Sequence, residues 1–196
     1  MTSLRMTAFL AAITFAAASP FASAEGAQEK AAPASMTPPK PAAELEQLKY
    51  FEGTWNCTGK AFASPEGPEH ANKGTATIKL DVDKFWYAVR YEEQASKNSP
   101  RPTKLAAFWG YQAATKSFVA ASFDNLGNSA LESSKGWDGD KLVWTGPMVG
   151  RRNVAIRDTF TKKGDAELVH LGETRPAKGD WTKLDEETCK KAASHK

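Results

Sequence analysis

From Gly53 onward the chain has a period of two, broken by turn residues every 8 to 14 positions, and this pattern limits its fold more than any other feature. Phe85, Tyr87, Val89 and Tyr91 alternate with Trp86, Ala88, Arg90 and Glu92. β-Branched and aromatic side chains at alternate positions suit a half-buried strand, whereas a helix repeats its apolar residues every three or four positions. The same reading predicts strands over 54–63, 74–81, 85–92, 105–112, 117–124, 129–137, 141–145, 153–161, 167–173 and 181–189. Between them lie Asn125-Leu126-Gly127-Asn128, Asp138-Gly139-Asp140, Lys162-Lys163-Gly164-Asp165 and Lys178-Gly179-Asp180, all with the chemistry of short hairpin turns.

Ten short strands joined by hairpins leave few architectures. An open sheet of that width would expose two unpaired edges and an apolar face, so it must split into a sandwich or curl shut. The expectation is an all-β fold, a closed antiparallel up-and-down barrel of about ten strands with one short N-terminal helix over 42–51. In that helix Leu45, Leu48 and Phe51 share a face and would plug or lean on the barrel. The segment Ala95-Ser96-Lys97-Asn98-Ser99-Pro100-Arg101-Pro102 excludes regular pairing and is expected to lie over an opening. A barrel of this size has room for side chains plus one small ligand.

The cysteines support closure. Cys57 and Cys189 are the whole inventory, one in the first strong strand and the other in the last. In an exported chain two cysteines most simply form one disulfide, and two separate thiols are the alternative. Export itself is read from the N-terminus. Arg5 is the only charge among the first 24 residues, an apolar run follows, and Ala22-Ser23-Ala24 offers a cleavage site. Residues 1–24 are thus expected to be a cleaved signal peptide, 25–41 a Pro/Ala-rich spacer, 42–191 the barrel and 192–196 a tail, in a periplasmic or secreted protein. No stretch of the predicted mature chain approaches the roughly 20 apolar residues that cross a bilayer as a helix, so no integral membrane segment is expected. Without Arg5 the chain carries 25 basic and 23 acidic residues, intermixed, and this excludes the basic patch that nucleic-acid binding needs.

Five sets of residues carry a resemblance: Gly53-Thr54-Trp55; Gly110-Tyr111 with Lys116, Phe118 and Val119; Asp124 with Gly127; Gly136-Trp137-Asp138-Gly139; and Arg157-Asp158. Together they resemble the bacterial exported family called domain of unknown function 1579, which is similar to calycins, the superfamily of lipocalins, fatty-acid-binding proteins and nitrobindins. The resemblance spans about 45–191 and implies the barrel, with Gly53 and Trp55 sealing one end. It brings no established activity. The cysteine pair and the Pro-rich spacer are not part of the family pattern.

Candidate ligand-lining residues are Tyr87, Tyr91, Trp109, Tyr111, Phe118, Trp144 and Phe160, which would either line a cavity or fill it. Arg157 is the candidate for orienting an anionic head group, as calycins that bind carboxylates do with an inward arginine. Its strand argues against this, because Val154, Ile156 and Phe160 form the apolar face and Arg157 lies opposite. Arg90 shares the ambiguity, and Phe108-Trp109 leaves open which ring points inward. His170 is the single histidine on a predicted strand; turned inward it would be the ligand of a haem, as the nitrobindin branch implies, and otherwise it is a satisfied histidine. No hydrolase elbow, His-Glu-x-x-His, Cys-x-x-Cys or phosphate loop is present, and Glu92-Glu93 and Glu186-Glu187 point to opposite strand faces. The expectation is therefore a non-enzymatic binder of a small apolar or amphipathic ligand, with no catalytic residue, no metal and no cofactor except the haem alternative. An envelope interaction module with a filled core is the runner-up.

Overall fold

A computed structural model describes residues 38–65, 67–99 and 101–193. The predicted signal peptide, most of the spacer and the last tail residues lie outside the described residues. Eleven strands follow a 3-10 helix, Ala43–Phe51: β1 (Gly53–Ala61), β2 (His70–Asp81), β3 (Trp86–Glu93), β4 (Lys104–Gln112), β5 (Ser117–Asp124), β6 (Ser129–Ser134), β7 (Trp137–Asp138), β8 (Lys141–Val149), β9 (Val154–Lys162), β10 (Glu167–Arg175) and β11 (Thr182–Lys191). A second, three-residue 3-10 turn, Val82–Lys84, joins β2 to β3. Consecutive strands pair antiparallel except β6 with β7, β1 pairs with β11, and β6 pairs with β8 past the short β7. Ten strands thus close an up-and-down barrel, and the two-residue β7 is an addition to it.

The helix is of the 3-10 type, and the sequence spacing explains why. Leu45, Leu48 and Phe51 recur every three residues, and a 3-10 helix with three residues per turn stacks them on one face. All three are buried against the barrel core. Phe51 meets Trp109 and Phe160 edge-on and stacks on Trp137, with ring centres 5.2 to 5.3 Å away. The Trp55 indole donates to Phe51 O at 2.7 Å and is itself buried, which closes this end of the tube. The turns that join β9 to β10 and β4 to β5 share this end with the helix. The opposite end carries the connections 62–69, 94–103, 125–128, 150–153 and 176–181.

Two predicted strands differ from the observed ones for local reasons. The run 129–137 breaks into β6 and β7 because Gly136, at φ +93°, turns the chain there. The turn carries Trp137 over the helix, where its indole donates to Gln47 O at 2.7 Å. In the other direction, β8 continues through Gly146 and Pro147 to Val149 instead of stopping at Thr145. Proline lacks a donor for a ladder. Here it faces the stretch where the β6–β8 ladder is interrupted, between Ser133↔Thr145 and Ala130↔Met148.

Seven residue pairs join β1 to β11, and among them Cys57 opposes Cys189 in a disulfide that spans 132 positions. Breaking it by Cys57→Ala with Cys189→Ala removes a constraint on the unfolded chain worth about 5 kcal/mol for a loop of this length, and denaturant unfolding is expected to show a loss of that order. Trp55→Ala is expected to cost about 3–5 kcal/mol as a large cavity in the core. Trp55→Phe, which keeps most of the volume and loses the bond to Phe51 O, is expected to cost about 1 kcal/mol.

Candidate functional site

Strand alternation and register decide what the tube contains. Reading inward positions across the ladders gives Cys57 opposite Gly74, Gly74 opposite Glu93, Tyr91 opposite Leu105 and Ala120 opposite Glu132. It continues with Trp144 opposite Asp158, Phe160 opposite His170, and His170 opposite Glu187. The interior between the helix-plugged end and the loops at the other end is a cavity of about 660 Å³. Its deep wall is apolar, with Phe51, Trp55, Trp109, Trp144, Phe160 and the disulfide. Its loop end is lined by Asn98, Ser99 and Arg101 from the 94–103 connection and by Arg151 and Arg152 after β8.

Between these lies a belt of titratable groups that sequence reasoning missed. His170 is held on both ring nitrogens, Nε2 at 2.9 Å from Asp158 and Nδ1 at 3.2 Å from Asp185. Phe160 stacks on its imidazole, ring centres 4.7 Å apart. Burial works against its charge, but the two carboxylates outweigh that and hold it well above its ordinary pKa, as an imidazolium. On the next strand Glu187 is buried and accepts from the Tyr91 hydroxyl at 2.6 Å. Burial raises both of these groups, and Glu187 raises Tyr91 further. Glu132, 7 % exposed on β6, hydrogen-bonds Asp158; burial first and that neighbouring carboxylate second push it up to about 9, so it is protonated at neutral pH. Its Oε1 has no partner, and neither has the indole N–H of Trp144 beside it in the wall.

Two glycines make room for the belt. A Cβ on Gly74 would lie 2.6 Å from the Tyr91 ring, so this glycine lets Tyr91 cross β2 toward Glu187. A Cβ on Gly172 would lie 2.7 Å from an Asp185 carboxylate oxygen, in the space that carboxylate uses to reach His170. At the loop end His70, the first residue of β2 rather than part of a turn, stands 3.4 Å from Glu93. Glu93 also accepts from Thr103 N at 2.8 Å, which ties the 94–103 connection to the barrel.

The predicted site residues divide. Tyr91, Trp109, Trp144 and Phe160 line the cavity. Tyr87 and Phe118 are buried in the packed core, and Tyr111 lies against it, edge-on to Phe118 with ring centres 5.2 Å apart; none of the three lines the cavity. Arg157 lies on the outer face, its Nε 2.7 Å from Glu173 and its guanidinium over the Trp181 ring at 4.4 Å, because strand alternation gives the inward place to its neighbour Asp158. Arg90 is exposed, and of the pair Phe108-Trp109 the tryptophan points inward. The signal for the belt was present in the sequence. Of each neighbouring pair Glu92-Glu93 and Glu186-Glu187, a closed barrel must turn one member inward, and the parity of the apolar residues Tyr91 and Cys189 selects Glu93, at the loop end, and Glu187, in the belt.

Two cofactor fits can be judged on donor chemistry. His170, Asp185 and Glu187 offer ligand atoms within 4.8 Å of one another, a spacing that suits a cation. A haem iron or a metal would need a deprotonated, free ring nitrogen on His170, and both nitrogens are engaged as donors to carboxylates. The residues present therefore do not fit a haem.

Comparison with known proteins agrees with the barrel. The crystal structure of Rv2717c from M. tuberculosis superposes with a TM-score of 0.65 at 14% identity, over 79% of this chain and 100% of that one, a likeness of fold alone. No curated protein matches the sequence. The family model described as "Protein of unknown function (DUF1579)" matches residues 40–191, and the chain belongs to that family.

Proposed function

We propose that this chain is an exported binding barrel that shelters one small amphipathic molecule, apolar part inward and polar part at the titratable belt. The observation that carries the reading is the cavity of about 660 Å³, within the range of small-molecule sites, whose aromatic wall adjoins buried polar groups with unfilled hydrogen-bond positions. Orphaned buried polar atoms are uncommon in a folded protein, and in a cavity wall they mark where a ligand or ordered water completes the bonding. The disulfide and the predicted signal peptide support a periplasmic or secreted setting. Among the described residues no helix is long and apolar enough to cross a membrane.

A second reading, an envelope interaction module, draws support from the outer face, where Phe108, Phe123 and Leu131 on β4 to β6 are exposed large apolar residues. It leaves the cavity and its belt without a role, and the binding reading accounts for both. Native mass spectrometry of the mature protein from its own host is expected to show an added mass that is lost on denaturation. Ala130→Phe, which points a ring into the cavity from β6, is expected to abolish both that mass and uptake of the neutral fluorophore N-phenyl-1-naphthylamine while the circular dichroism of the barrel is retained. A protein that carries no mass and takes up no fluorophore would end this reading.

The belt also predicts a pH dependence. Glu132 and His170 both hold a proton more tightly folded than unfolded, so their contribution to stability is complete below the unfolded values of 4.5 and 6.5 and is lost as pH rises through the folded ones. The thermal midpoint is expected to fall between about pH 5 and pH 9. Glu132→Gln is expected to flatten part of that fall, and an unchanged slope in the variant would show that Glu132 does not hold its proton in the folded state.

A further inference from the structure

The polar part of the bound molecule can be narrowed from the charges that face it, and this step rests on the binding-barrel reading above. Strand residues bring four carboxyl groups to the belt, Glu132, Asp158, Asp185 and Glu187. The cation among them, His170, spends both N–H donors on Asp158 and Asp185. Tyr91, the neutral donor nearby, gives its proton to Glu187. The arginines that line the cavity, Arg101, Arg151 and Arg152, stand on the connections at the loop end, and Arg152, the one whose Nε is buried, is already engaged with a partner. Arg157, the residue that would have welcomed a carboxylate, is on the outside, paired to Glu173.

An anionic head group at the belt would thus meet carboxyl groups whose donors are already engaged, and like charges in a desolvated site repel strongly. The unfilled positions have the opposite demand. Oε1 of Glu132, in a side chain more than nine-tenths buried, is an acceptor without a donor. Asn72 Oδ1, also in the cavity lining, is a second. The Trp144 indole is a buried donor without a partner, but one neutral N–H suits an ether or hydroxyl oxygen and does not neutralise an anion. We infer that the cavity selects an amphiphile whose polar end is a hydrogen-bond-donating cation, an alkylammonium or amidinium, held by Glu132 and Asp158, and that it discriminates against fatty carboxylates. A primary ammonium carries three donors on a compact charge, enough to fill Glu132 Oε1 and share Asp158 with His170.

The test compares three probes with one alkyl chain, decylammonium, decanoate and methyl decanoate, by calorimetric titration below their micelle concentrations at neutral pH. Decylammonium is expected to bind at least about tenfold more tightly than either of the others, the methyl ester serving as a neutral reference without a donor. Glu132→Leu removes the acceptor while relieving a buried unsatisfied group, so it is expected to fold. It should weaken decylammonium by about tenfold and shift methyl decanoate by less than about threefold. Asp158→Asn, read in parallel, should also weaken the amine. Decanoate binding as tightly as decylammonium would overturn the head-group assignment and leave the binding barrel standing. An amine preference that survives both substitutions would overturn the assignment to Glu132 and Asp158. Failure of all three probes to bind would overturn the binding reading itself, and this inference with it.

Discussion

The ladder between β1 and β11 is the constraint on which the rest of the molecule depends. Strands made consecutively along a chain pair with their neighbours at little entropic cost, but the first and last must find each other across the whole domain. The chain secures that pairing with seven residue pairs, a disulfide inside them, and the Trp55 and Phe51 anchor at one edge. With those ends joined, every other strand of the ten-stranded barrel is held between two partners, and the second junction, between β6 and β8, closes with only three pairs and tolerates Pro147 at its gap. Closure removes the open edges and creates an inside. The cavity exists because the tube is closed and its helix plugs one end only.

The inside is unusual in what it holds. Buried carboxyl groups cost stability unless they are neutralised or hydrogen-bonded. Here both devices operate: His170 sits as a cation between Asp158 and Asp185, Tyr91 donates to Glu187, and Glu132 keeps its proton against Asp158. Gly74 and Gly172 give the side chains the space to reach one another. A filled structural core would be built more stably from apolar residues. A polar belt with acceptors left open, adjoining an aromatic wall, is what a site for an amphipathic molecule requires. The same belt explains why His170, the residue that would have served a haem, is not available to one: its nitrogens are spent on neighbouring strands.

Much of the fold was legible because local pattern and global fold agree. Alternation placed the barrel strands within a few residues, the three-residue spacing of Leu45, Leu48 and Phe51 marked the helix, and the cysteines marked the first and last strands as partners. The misread places are those where a long-range contact overrides local chemistry. Gly136 turns the chain so that Trp137 can reach Gln47, and a Gly-Pro pair continues a strand because its missing donor faces a gap in the partner ladder. Of the eight candidate residues four line the cavity; Tyr87, Phe118 and Tyr111 pack in or against the core, the filling role the sequence left open for them, and Arg157 faces outward, as the apolar face of its strand implied.

The amino-acid sequence by itself determined that this chain makes an antiparallel barrel with joined ends, because strand period, turn chemistry and cysteine placement act between near neighbours or through a single covalent link. Only the tertiary structure decided what the barrel holds. Glu132, Asp158, His170 and Asp185 come from four strands spread over more than fifty positions, and none is distinctive where it stands in the chain. Their convergence depends on register, and a slip of one residue in any ladder would turn its member outward, as alternation has done with Arg157.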